Sequence, residues 1–231
     1  YSYLPTGYTI PENAAYFHYT TNNTIEGTQM GDIPSTPVPL IADMSSDVLS
    51  CGMDFNRFSF IYAGAQKNIG AAGVNLVVAD KDFLATGNTA IPSMMDYRQH
   101  VANGSMLNTP PVFAIYVCLL TLRWLKKIGG IPAIEKINEQ KANLLYTTLA
   151  SLPMFNLPVP SQDRSKMNAV FTMHDPALEK LFLTRCEEEG MVGIKGHRSV
   201  GGFRVSMYNA MPLSSVVDIT DLIKDFANKH A

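Results

Sequence analysis

The sequence predicts an α/β fold. Short apolar runs in the first eighty residues are each bounded by turn residues, the pattern of strands lying under helices. After residue 153, strand-like and helix-like segments alternate. Of the 231 residues, 46% are apolar and 16% charged, so a sizeable core can form and disorder is not expected.

The elements follow in order. "AAYFHYT" (Ala14–Thr20) reads as an aromatic-rich strand. The Gly-, Pro- and Asn-rich stretch after it, "TNNTIEGTQMGDIPSTPVP", is loop. "PLIADMSS" (Pro39–Ser46), "FSFIYAGAQK" (Phe58–Lys67) and "GVNLVVAD" (Gly73–Asp80) are strands expected to be buried on both faces. Pro110 and Pro111 open a helix, where a missing N–H does no harm. It runs to about Lys127 and stops at Gly129-Gly130. Its apolar run, Val112 to Leu122, is too short for a membrane span and is expected to be a buried helix. A second helix, Ile131 to Leu152, carries Pro132 in its first turn. Pro153 to Asp163 is loop. Then come strand Met167–Met173, helix Pro176–Glu189 with Asp175 as N-cap, strand Gly202–Asn209 and helix Leu213–Lys229. The last helix has an apolar face of Val216, Val217, Ile219, Leu222, Ile223 and Phe226. Two domains are expected, residues 1–130 and 131–231.

Several function classes are disfavoured. Net charge is −2 and no basic run occurs, so there is no nucleic-acid footprint. Cys51, Cys118 and Cys186 are odd in number and far apart, which suits neither disulfides nor zinc. A reducing, cytosolic compartment is the expectation. No Walker loop, Ser-His-Asp set or metal cluster stands out. No signal peptide is expected at the head. The chain opens on Tyr1 as if within a domain, and is expected to be part of a longer one.

Chemistry concentrates around Lys67. A lysine at a strand end among Gly64, Ala65, Gly70 and Gly73 can be a surface lysine beside a turn. It can also be an amine partly withdrawn from water, usable as a nucleophile toward an aldehyde. Small neighbours would then admit a flat cofactor close to the backbone. Asp43 closes the strand "PLIAD". It can cap a turn, or it can pair with the protonated ring nitrogen of pyridoxal phosphate. Asn108 and Thr109 precede the Pro-Pro helix start, as a plain cap or as an anion site. "GHRSVGGFR" holds His197, Arg198 and Arg204, a solvated turn or the grip on a dianionic substrate. Arg204 sits in an apolar strand, where an unpaired charge would be costly. His18, among aromatics, reads as a core histidine.

Together "HYTTNNTIEGTQ", "ADMSSDVLS", "YAGAQKNIGAAGVNLVV", "MLNTPPVFAIY" and "GIKGHRSVGGFRVSMYNAMP" resemble the phosphoserine aminotransferases. These are class-V, fold-type I, pyridoxal-phosphate enzymes of serine biosynthesis. The resemblance covers nearly the whole chain in order, and against it the front third is lacking. It implies a mostly parallel sheet in a partial large domain, followed by a smaller α/β domain. It implies Lys67 as the Schiff-base lysine and Gln66 on the cofactor phosphate. Asp43 would meet the pyridinium nitrogen and Thr24 the ring hydroxyl. Asn108 and Thr109 would reach the cofactor phosphate of the partner subunit, so a homodimer is implied. His197 and Arg198 would take the substrate phosphate and Arg204 its α-carboxylate. Glutamate and 3-phosphohydroxypyruvate would be the substrates, converted with ping-pong kinetics in the cytoplasm. Another class-V aminotransferase using alanine or serine, or an inactive fragment that only assembles, are the alternatives.

Overall fold

The computed structural model describes residues 1–230. Strand β1 (Phe17–Thr20) leads into a tight hairpin of β2 (Asn22–Asn23) and β3 (Thr28–Gln29). Next come β4 (Leu40–Asp43), β5 (Phe60–Gly64), the one-turn helix α1 (Ala65–Asn68) and β6 (Asn75–Ala79). Two short helices follow, α2 (Lys81–Ala85) and α3 (Tyr97–Ala102), then the long pair α4 (Val112–Lys127) and α5 (Ile131–Ala150). The chain closes with β7 (Phe155–Asn156), β8 (Asn168–Met173), α6 (Glu179–Glu188), β9 (Phe203–Ser206) and α7 (Leu213–Lys229).

The first sheet has the order β1-β4-β5-β6. β1, β4 and β5 run parallel, and β6 turns back antiparallel on β5. The second sheet, β7-β8-β9, is antiparallel. Each sheet has its own apolar core. One joins Leu40, Ala42, Met44, Ile61, Ala63 and Ile69; the other joins Phe155, Phe171, Phe182, Phe203, Ile223 and Phe226. Asp175 caps the turn before α6 by accepting from the Ala177 N–H at 2.9 Å, as its position predicts.

Three expectations need correction. β6 is not buried on both faces: none of its residues is fully buried. α4 is not a buried helix. Only Ala114, Cys118 and Leu125 are inside, while Val112 and Phe113 are 70% and 77% exposed. His18 is exposed and lies on the Tyr62 ring, 6.0 Å between centroids. Among the described residues no helix is long and apolar enough to cross a membrane, no group of His, Cys, Asp or Glu could hold a metal ion, and Cys51, Cys118 and Cys186 are free.

Candidate active site

The parallel strands deliver their polar ends to one edge. β4 stops at Asp43, which is in register with Tyr62 on β5 and with Thr20 on β1. The Asp43 carboxylate accepts from the Ser45 N–H at 2.8 Å, so the turn-capping role is present. Among the described residues it forms no ion pair. Burial, and then the negative Asp43 beside it, hold the Tyr62 phenol above its usual range. The Tyr62 hydroxyl also meets His18 Nε2 at 3.1 Å.

Lys67 is not at a strand end. β5 finishes at Gly64 and the chain winds into α1, which carries Gln66 and Lys67 on its single turn. Gln66 is exposed, its amide folded back over Gly64, where an added Cβ would lie 2.8 Å from Gln66 Oε1. Lys67 is half-buried. Its Nζ donates to Thr24 Oγ1 at 2.8 Å, and it has no carboxylate partner.

Thr24 lies in the β2–β3 turn. That turn is pressed onto the second sheet at Gly27, whose φ is +76°. A Cβ there would sit 2.8 Å from Val170 Cγ2 and 2.9 Å from the Asn168 carbonyl, so only glycine fits. From the far side, Arg204 on β9 donates from Nη1 to the Thr24 carbonyl at 3.3 Å. Lys67 and Arg204, 137 positions apart in sequence, therefore meet on one threonine. Arg204 Nε is buried with no partner. A buried donor without an acceptor is costly, and here it leaves the guanidinium with unused capacity for an anion.

His197, Arg198, Asn108 and Thr109 make no side-chain hydrogen bond to this trio. His197 is tied to Ser199 Oγ at 2.7 Å, and Arg198 is exposed. Asn108 and Thr109 are exposed ahead of α4. Sequence reasoning missed Tyr62 beside Asp43, although β-strand register makes the last residues of adjacent strands neighbours. It also missed Asp47. This residue is buried, receives hydrogen bonds from Thr21 Oγ1 (2.5 Å) and Gln29 Nε2 (3.3 Å), and is pushed by burial up to about 6.

A mostly parallel sheet with an unpaired acid closing one strand, a lysine on the helical turn after the next, and an arginine brought in from a second α/β unit defines a class that comparison identifies. The family model for class-V aminotransferases matches residues 6–218, and the chain belongs to this family. It is 50% identical over 229 residues to the phosphoserine aminotransferase of Flavobacterium johnsoniae, covering 99% of this chain and 64% of that one. It is 48% identical to that of Porphyromonas gingivalis, covering 100% and 64%. The chain thus spans about 64% of the length of these curated relatives. Among solved structures, the phosphoserine aminotransferase of Bacillus circulans superposes with a TM-score of 0.93 at 42% identity, over 96% of this chain and 62% of that one. The pyridoxal-phosphate-bound enzyme of Trichomonas vaginalis gives 0.89 at 38%, over 94% and 62%. An alanine–glyoxylate aminotransferase from Nostoc, at 14% identity and TM-score 0.74, shares the fold.

Proposed function

We propose that this chain carries the lysine, acid and arginine of a pyridoxal-phosphate-dependent transaminase. The reaction moves an amino group between glutamate and 3-phosphohydroxypyruvate, giving 2-oxoglutarate and O-phospho-L-serine. The convergence of Lys67 and Arg204 on Thr24 carries this reading. The relatives' names supply phosphoserine, and the sequence resemblance supplies its keto acid and glutamate.

The residues suit the cofactor. An amine and a carboxylate, neither ion-paired, would hold the aldehyde and the ring nitrogen of the cofactor, and Thr24 and Gln66 add neutral hydrogen-bonding groups. Bound there, pyridoxal phosphate supplies an electron sink for the charge left when the substrate loses its α-proton. Asp43 holds the positive charge on the ring nitrogen. Thr24 orients the Lys67 amine, which in its neutral form can accept the α-proton at Nζ and return it. Arg204 grips the substrate α-carboxylate in a two-toothed fashion, with Nε free to join. His197 and Arg198 select the substrate phosphate, and the side-chain carboxylate of glutamate uses the same anion site. Asn108, Thr109 and the apolar face of α4 belong to a homodimer contact in the cytoplasm, and the domain boundary falls near Gly130.

The test is spectroscopic. Added pyridoxal phosphate gives a visible band, borohydride fixes it to Lys67, and glutamate shifts it. Lys67→Ala abolishes the fixation. Arg204→Ala weakens both amino acids by roughly 10- to 1000-fold, the range for losing a charged hydrogen-bonded contact. A colourless wild type, or full fixation in Lys67→Ala, refutes the assignment. Turnover of serine equal to that of phosphoserine would replace it with another class-V transaminase.

A further inference from the structure

Behind the site, four buried polar side chains outside the proposed chemistry form one connected set. Asn68 follows Lys67 directly, and its Oδ1 accepts from the Asn209 N–H at 3.0 Å. Its Nδ2 donates to the carbonyls of Val48 (3.2 Å) and Ser46 (3.4 Å). Asn209, five residues beyond Arg204, donates from Nδ2 to the Leu49 carbonyl at 3.0 Å. Its Oδ1 accepts from Asn138 Nδ2 at 2.9 Å, and that same Nδ2 gives its other hydrogen to the Ser50 carbonyl at 3.0 Å. One turn along α5, Lys141 is fully buried with no carboxylate. Its Nζ donates to the carbonyls of Met207 and Tyr208 (2.9 Å each) and Met211 (3.1 Å). Burial pulls its ammonium down to about 8, so at neutral pH all three N–H donors remain to meet the three carbonyls.

The set is specific. Flipping Asn138 would turn its oxygen toward two acceptors, so its orientation is forced although Oδ1 is left without a partner. Leu49, whose carbonyl Asn209 holds, sits at φ +57°, a strained conformation for leucine that a pinned carbonyl helps to maintain. The segments joined are the turn after Asp43, the helix of Lys67 and the chain after Arg204.

We propose that Asn209, with Asn68, Asn138 and Lys141, is a positioning residue: the buried strap sets the Lys67 amine and the Arg204 guanidinium at a constant separation across the two sheets. This rests on the transaminase reading for its kinetic consequence, but the strap is testable without it.

Asn209→Ala is compared in the full protein with Val216→Ala, which opens the C-terminal core without removing any hydrogen bond of the strap. Hydrogen exchange without substrate is expected to rise together in 64–70 and 203–211 in Asn209→Ala, and not in Val216→Ala. At equal loss of Tm, kcat/KM for glutamate is expected to fall about 10- to 100-fold in Asn209→Ala, the scale of an ångström-sized misplacement. Val216→Ala should stay within about twofold of wild type. Pyridoxal phosphate should still be fixed on Lys67 by borohydride in both. If exchange rises only beside residue 209, or if kcat/KM follows the control, the proposal is overturned. Should Asn209→Ala not fold, Asn138→Ala decides by the same readouts. A wild type that takes up no pyridoxal phosphate would sink the transaminase reading, leaving the exchange pattern to judge the strap.

Discussion

Phe182 on the largely polar α6 and Phe113 on the apolar α4 are the same residue type in two helices. Phe182 is fully buried, its ring 4.9 Å from Phe203, 5.1 Å from Phe226, 5.9 Å from Phe155 and 6.4 Å from Phe171. Phe113 is 77% exposed, next to Val112 and one turn from Tyr116, both also exposed. The C-terminal unit surrounds its sheet with α5, α6 and α7 and closes a core around aromatic rings. α4 touches the loop between α1 and β6 along one narrow line, through Cys118 over Gly70 and Ala114 over Gly73. Apolar composition therefore predicts that a segment wants covering, while the neighbouring elements decide whether it is covered. An exposed apolar face of this kind is the signature of a contact surface.

The sharpest way to break this contrast is Phe182→Ala. Loss of an aromatic side chain from a closed core costs about 3–5 kcal/mol, read from the urea midpoint. A loss below about 1 kcal/mol would mean the C-terminal core is as open as the α4 face.

Next in size is Asp47, a buried acid in the half of the molecule whose interior is more polar. With its carboxyl raised to about 6, the folded state keeps the proton that the unfolded chain releases near 4. Stability is highest below about pH 4, falls as pH rises through 6, and then levels off. The total change is roughly 2–3 kcal/mol. Asp47→Asn should flatten this component of the profile, measured as the difference in unfolding free energy from wild type across pH 4–7. An unchanged slope would remove Asp47 from the account.

Gly70→Ala probes the narrow line under α4. Its Cβ would fall 2.2 Å from Cys118 Sγ and 3.0 Å from Cys118 Cα. Overpacking of about 1–3 kcal/mol is expected, and Cys118→Ala should relieve only part of it, because the backbone contact remains. Full relief would show that the sulfur alone sets the distance.

The smallest effect is expected from Phe113→Ser, within about 0.5 kcal/mol of wild type in unfolding of the isolated subunit. The same change should weaken self-association by sedimentation if α4 forms the proposed dimer contact. A loss of stability as large as that of Phe182→Ala would place Phe113 in a core after all.

Much of this was legible beforehand. The helix from Leu213 to Lys229 begins and ends where its periodicity says, and Asp175 caps where Asp-Pro predicts. Lys67 and Asp43 stood out because a lone charge at the end of an apolar run needs a reason. The identity of the acceptor for Lys67 did not stand out, since Thr24 lies in a turn indistinguishable in sequence from other polar turns. Tyr62 and Asp47 were missed for a similar cause: each matters through residues on another strand.

By itself the amino-acid order determined the local elements, the helix ends and the residues able to do chemistry, because propensity, capping and the functional group a side chain carries are local properties. Tertiary structure alone decided that Lys67 turns onto a helix, that Arg204 arrives from the second sheet to share Thr24, and that α4 keeps its apolar face outside. The shared threonine depends on a contact 180 positions long, and the open face of α4 on which elements pack against it, neither of which a local pattern encodes.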